Sequence, residues 1–261
     1  MGSATAQALA ASTQVLAAAS GVTLDTAREL FAAARAVSES SQLSGALADP
    51  AAPVAARQNV VAAVFGGFSQ NAQSILKAVV SERWSSASEL VDGIEELAIR
   101  ATVVADPQTD IEGELFDFSR VVAGNAELEL ALGGRLGGED AKGALVERLL
   151  GGASAPVTLI VSSLVRQARG RRVRQLLNRA MRIVSSQHDR VVATVYSATP
   201  LSDAQRTRLG DALSRRYDGN VSLNVVLDPA VVGGLRVQIA DDVIDGSISA
   251  RLADLRQKLA G

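Results

Sequence analysis

Apolar positions recur every three or four residues through the first two thirds of the chain and every second residue near its end. The first spacing places them on one face of a helix, and the second on one face of a strand. Residues 3–19 read as one helix. Thr23 precedes a second, lined by Ala27, Leu30, Phe31 and Ala34. A short third, Gln42 to Ala48, stops at Asp49-Pro50. Pro53 sits where a first-turn proline is tolerated and opens a fourth through Val60, Val61, Val64 and Phe65, ended by Gly66-Gly67. Ser69 starts a fifth, with Ile75, Leu76, Val79 and Val80 inward. Ser86 and Glu89 form a capping-box pattern before Leu90, Ile94, Leu97 and Ala98. Six short helices with brief connections predict a helical bundle.

A shift of 85 residues brings a second copy into register without a gap. Glu29-Leu30-Phe31 meets Glu114-Leu115-Phe116, Arg35 meets Arg120, Val37 meets Val122, Leu43 meets Leu128, and Leu47 meets Leu132. Arg57 meets Lys142, Val61 meets Val146, Gly66-Gly67 meets Gly151-Gly152, and Ser69 meets Ser154. Near Arg171 one inserted residue brings Leu90 onto Leu176. Breakers repeat along with apolar positions, which argues for duplication of the second to sixth helices, with no partner for the first.

From Val191 the period changes to two. Val191, Ala193, Val195 and Ser197 predict a strand, Ser202 and Gln205 a capping box before a helix with Leu209, Ala212 and Leu213 inward, and Val221 to Leu227 a second strand after Gly219. Asp228-Pro229 and Gly233-Gly234 turn the chain into two further short strands. In these, Leu235, Val237 and Ile239 alternate with Arg236 and Gln238, and Val243-Ile244 follows a turn at Ala240 to Asp242. Ser247 is placed to cap a closing helix with Ile248, Leu252, Leu255 and Leu259 on one face. The predicted class is α+β: a six-helix bundle over 1–105, a repeat-related helical segment over 106–189 and a small α/β domain over 190–261.

Composition narrows the chemistry. The 261 residues carry a net charge of −2 and only 3% aromatics, so the core is aliphatic and no global charge points to nucleic acid. Without cysteine there is no thiol chemistry, and with His188 as the only histidine a histidine zinc site or a Ser/His/Asp triad lacks its parts. Neither GxxxxGK[ST] nor GxGxxG occurs. Apolar runs such as Val157 to Val161 are far short of the roughly 20 residues a bilayer requires. The first twenty residues lack the positive start of a secretory signal, and Ala6 breaks the myristoylation pattern. Asp241, Asp242 and Asp245 crowd a hairpin, where turns and caps use such residues. No catalytic, cofactor-binding or metal-binding residue emerges.

Charge is unevenly spread. Glu89 to Asp117 holds nine acids and one base, and Arg148 to His188 holds eight arginines and no acid. The cluster at Arg166, Arg169, Arg171, Arg172 and Arg174 reads either as a phosphate- or partner-binding face, or as a set of ion pairs with the acidic helix of the other copy. No aromatics interleave it for base stacking, so a protein setting is favoured over nucleic acid.

The stretch after Asn224 resembles the C-terminal signature of the delta subunit of bacterial F-type ATP synthase, the oligomycin-sensitivity-conferring protein family. Its matching residues are Asp228, Pro229, Gly233, Gly234, Leu235, Val237, Asp241, Val243, Asp245, Gly246, Ser247, Arg251, Leu252 and Leu255. Ser197, Ala198, Pro200 and Leu201 resemble the family's SAxPL element. Ala240 stands where the family usually has glycine. The resemblance implies a non-catalytic peripheral-stalk subunit without cofactor. It would bind no nucleic acid, would join the N-terminal helices of the alpha subunits to the b-type stalk, and would hold the catalytic head against rotor torque. It further implies one copy per hetero-oligomeric complex, at the cytoplasmic face of the bacterial cell membrane and attached only through partners. The family's use of its first and fifth bundle helices points to Leu9, Leu16, Ile75, Leu76 and Val79 for alpha binding. The competing class is a free-standing helical adaptor or an arginine-mediated nucleic-acid binder.

Overall fold

The structure, a computed structural model, describes residues 2–133, 138–187, 190–217, 220–231, 233–239 and 242–246. The chain forms two compact units, residues 1–184 and 185–261. Helices come first: α1 (Ser3–Ala18), α2 (Leu24–Glu39), α3 (Ser41–Ala48), α4 (Val54–Val64), α5 (Gln70–Ser81), α6 (Ala87–Ala105), α7 (Ile111–Ala123), α8 (Ala126–Gly133), α9 (Glu139–Leu149), α10 (Ala155–Arg166) and α11 (Val173–Gln187). The α/β part follows: β1 (Arg190–Ser197), α12 (Asp203–Tyr217), β2 (Asn220–Leu227), β3 (Leu235–Ile239) and β4 (Asp242–Asp245). The fold is therefore α+β, mostly helical with a small mixed sheet toward the C-terminus.

The bundle core is aliphatic, as the composition requires. Leu30, Ile75, Leu76, Leu90, Ile94, Leu97, Ile111 and Leu115 are fully buried in one cluster, and each such side chain stabilises by about 1.5–3 kcal/mol relative to exposure. Caps fix where helices start. Ser40, Ser69, Ser86 and Ser154 each accept from a backbone N–H three residues on, and Thr23 closes a full capping box with Thr26. At Ser86 only half of the expected box forms, because the Glu89 carboxylate meets Thr5 of α1.

The 85-residue period is visible in the helices themselves. Moving α3, α4 and α5 by 85 positions gives the bounds of α8, α9 and α10, and moving α2 gives 109–124, which encloses α7. The tertiary contacts repeat too. The Ser69 amide donates to the Glu29 carboxylate at 3.0 Å, and the Ser154 amide donates to Glu114 Oε2 at 2.8 Å. Ser40 caps Leu43 at 3.1 Å and Asn125 caps Leu128 at 3.0 Å. The missing partner of α1 is found as well: its bounds moved by 85 are 88–103, which fall inside α6. Thus α6 is the sixth helix of the first copy and the first helix of the second. It packs on α1, α2, α3, α5 and α10, which is why twelve of its nineteen residues are buried.

In the second unit the sheet order is β2-β1-β3-β4, with β1 and β2 parallel and the remaining pairs antiparallel. The crossover between β1 and β2 is α12, whose Leu213 packs on Ala193, Val195, Val237 and Ile239. The Ser202/Gln205 capping box is present, at 2.9 and 3.4 Å. The expected closing helix with Ser247, Ile248, Arg251, Leu252, Leu255 and Leu259 lies outside the described residues, as do His188, Gly219, Ala240 and Asp241.

Candidate partner-binding surfaces

The shared helix makes the two copies differ in what they leave open. In the first copy, Ala6, Ala10 and Gln14 of α1 and Ser74 of α5 are exposed. Eighty-five residues on, Val91, Glu95 and Ile99 of α6 are buried and Leu159 of α10 is half-buried. The chain itself is the cover: α2 packs on α6 and α10, its Arg35 carbonyl accepting from Gln167 Nε2 at 3.3 Å, and Arg169, Arg171 and Arg179 close over Glu95. The face between first and fifth helices is therefore open on α1 and α5 and occupied on α6 and α10.

Of the residues expected to receive alpha, Leu9 is half-buried and packs against the core. Leu16 (1% exposed), Ile75 (0%), Leu76 (1%) and Val79 (0%) lie inside the bundle. This corrects their placement as contact residues. An apolar stripe at helical spacing serves first to close the bundle it belongs to, and these four side chains have no surface left to offer. A helix laid over α1 and α5 would meet the positions flanking them.

The arginine cluster is internally paired. Glu95, itself 3% exposed, accepts from Arg171 at 2.9 and 2.7 Å, from Arg179 at 2.7 Å and from Arg169 at 3.5 Å. Arg169 also pairs with Asp92, Arg179 with Glu96 at 3.4 Å, Arg174 with Glu129 at 3.1 Å and Arg166 with Glu147 at 3.2 Å. Around a buried carboxylate these are charge-assisted bonds, stronger than surface pairs. Of the two readings of the uneven charge, the geometry matches pairing with the acidic helix: the basic turn before α11 is fastened to α6. Arg169 (φ 49°) and Gly170 (φ 76°) adopt the left-handed conformation that brings that turn around.

The signature residues of the second unit shape its turns. Ser197 ends β1, where its hydroxyl donates to the Thr199 carbonyl at 2.7 Å and its own carbonyl accepts from the Asp228 amide at 2.8 Å. Ala198 and Pro200 are exposed, while Leu201 packs on the sheet core. The Asp228 carboxylate accepts from the Ala230 amide at 2.9 Å, turning the chain at Pro229. Gly233 (φ 64°) and Gly234 (φ 79°) need the left-handed region. Leu235 and Val237 face the sheet core, Val243 of β4 is exposed, and β4 ends at Asp245, after which the Gly246 amide donates to the Leu235 carbonyl at 2.8 Å. Arg236 stacks over the Tyr196 ring at 4.5 Å. Asp241, Ser247, Arg251, Leu252 and Leu255 are outside the described residues. The described members act as caps, turn glycines and core.

The hydroxyl of Thr5 donates to the Glu89 carboxylate and holds its pKa below the ordinary carboxylate range, against a smaller opposing effect of burial. It ties α1 to the start of α6. No group of three or more potential metal ligands occurs among the described residues, and no helix among them is long and apolar enough to cross a membrane.

Known proteins align with this geometry. A sequence model of the ATP synthase delta (OSCP) subunit family matches residues 98–259, starting within α6. The chain is 48% identical to the ATP synthase subunit delta of Leifsonia xyli subsp. xyli, with all of both chains aligned. It is 37% identical to that of Streptomyces griseus subsp. griseus, again over all of both. The Streptomyces avermitilis subunit delta is 39% identical over 90% of this chain and 88% of that one. A chain of the cryo-EM structure of the Toxoplasma gondii mitochondrial ATP synthase hexamer aligns with TM-score 0.35 and 15% identity over 64% of this chain and 96% of that one, a likeness too distant to argue from.

Proposed function

This chain belongs to the ATP synthase delta (OSCP) subunit family, and from that membership we infer how its architecture is used. It is a non-catalytic, peripheral-stalk subunit of the F-type ATP synthase, attached to the membrane through that complex. In this reading the first bundle receives the N-terminal helix of an alpha subunit, the second unit meets the b-type stalk, and the whole resists rotor torque from the cytoplasmic face. One copy serves each complex.

The observation that carries the assignment of alpha is the difference between the two copies: the face of α1 and α5 is open, whereas α2 covers its counterpart on α6 and α10. Ala6 and Ala10 keep the backbone of α1 accessible to a close neighbour. An amphipathic helix can lie along such a face with anchors at i, i+3, i+4 and i+7. Resisting torque favours a slowly dissociating contact, on the order of 2,000 Å² or more in permanent assemblies. The second copy, in this reading, lengthens the stalk and stiffens the bundle through the Glu95 cluster.

Purification of the chain from detergent-solubilised membranes tests the reading. It should bring down the alpha, beta and b-type subunits in constant ratio, and recovery without them contradicts it.

A further inference from the structure

A cavity of about 250 Å³ remains where α2 covers the second copy's groove, walled by α2, α9, α10 and Glu95 of α6. We propose that it binds a small oxyanion of the phosphate type. Three arginines line it, Arg28, Arg35 and Arg166, against two carboxylates, Glu95 and Glu147. Both carboxylates are already engaged: Glu95 by Arg169, Arg171 and Arg179, and Glu147 by Arg166. They therefore exert little net repulsion on an incoming anion.

Of the three lining arginines, Arg28 and Arg166 are paired and Arg35 is not. It is half-buried, lines the cavity, and its guanidinium makes no hydrogen bond or ion pair with any described residue. Its planar guanidinium fork matches the paired oxygens of a phosphate. Arg28 is held only by Asp25, in a pair 61% and 81% exposed, and such a surface pair is weak enough to let Arg28 turn inward. The half-buried Ser163 on α10 adds a hydroxyl donor. The cavity lies just below the roughly 300–1,000 Å³ of sites for drug-sized ligands, which excludes a nucleotide and suits a single phosphate. Bound there, the anion would bridge α2 and α10 and so clamp the two copies together.

Isothermal titration of the full chain with inorganic phosphate, matched against chloride at equal ionic strength, tests the proposal. Saturable binding of one phosphate is expected, weakened at least tenfold in Arg35→Ala. It should be weakened equally in Ala32→Leu, which fills the cavity without removing charge, with far-UV circular dichroism verifying the fold of each. Absence of saturable binding to the wild type overturns the proposal. So does an equal response to chloride, or phosphate binding that persists in whichever of the two variants folds.

Discussion

Arg171 grips Glu95 with both arms of its guanidinium, at 2.9 and 2.7 Å, across 76 residues of sequence. Arg179 and Arg169 complete the set, so one buried carboxylate organises three arginines from the second copy. Removing it would leave those cations facing one another in a partly dehydrated seam. Glu95→Ala is expected to lower the stability of the helical unit by about 3–5 kcal/mol. The urea midpoint measures this, and a change within error would show that the cluster is not stabilising.

The matched caps, Ser69 Oγ accepting from the Ala72 amide and Ser154 Oγ from the Val157 amide, predict matched losses. Ser69→Ala and Ser154→Ala each remove a helix cap and should each cost about 1 kcal/mol. Thermal or chemical denaturation of both variants would reveal any asymmetry, and a loss in one copy alone would contradict the structural equivalence of the two.

Acidification should loosen α1. The folded-state pKa of Glu89 is depressed, so its contribution is complete above the unfolded carboxylate value of about 4.3 and disappears as pH falls through the lowered folded value. Hydrogen exchange of α1 amides should accelerate across that window in the wild type. In Glu89→Gln the same amides should already exchange faster at neutral pH and lose the part of the acid dependence due to this group.

Gly93 supports the single tryptophan. A methyl group at that position would overlap the Trp84 ring, whose Nε1 donates to the Val79 carbonyl at 2.8 Å. Gly93→Ala should displace the indole, shift its fluorescence to the red and cost about 1–3 kcal/mol. Unchanged emission would mean that the ring has room to move.

Much of this fold was legible in local pattern. Serine caps, Gly66-Gly67 and the alternation of Leu235, Val237 and Ile239 mark their elements because short-range stereochemistry decides them. The duplication was legible as well, since breakers and apolar positions repeat together. The double role of α6 was not. The stripe of Leu90, Ile94, Leu97 and Ala98 marks a helix without marking that both copies use it, and its Asp92, Glu95 and Glu96 have no counterparts in the alanine-rich α1. Nor could spacing tell the stripe of Ile75, Leu76 and Val79 apart from a binding face, because core and groove demand the same residues. Charge asymmetry did foreshadow the arginine–glutamate seam, although the pairing itself spans more than seventy residues and depends on how the copies meet.

Central to the account is the open face of the first copy as the seat of the alpha N-terminus, which calls for titrating the full chain with a synthetic peptide of that helix. Saturable one-to-one binding should appear, greatly weakened by Ala10→Glu on α1 and unaffected by Ser163→Ala on α10. Failure of the peptide to bind, or binding indifferent to Ala10→Glu, would contradict it.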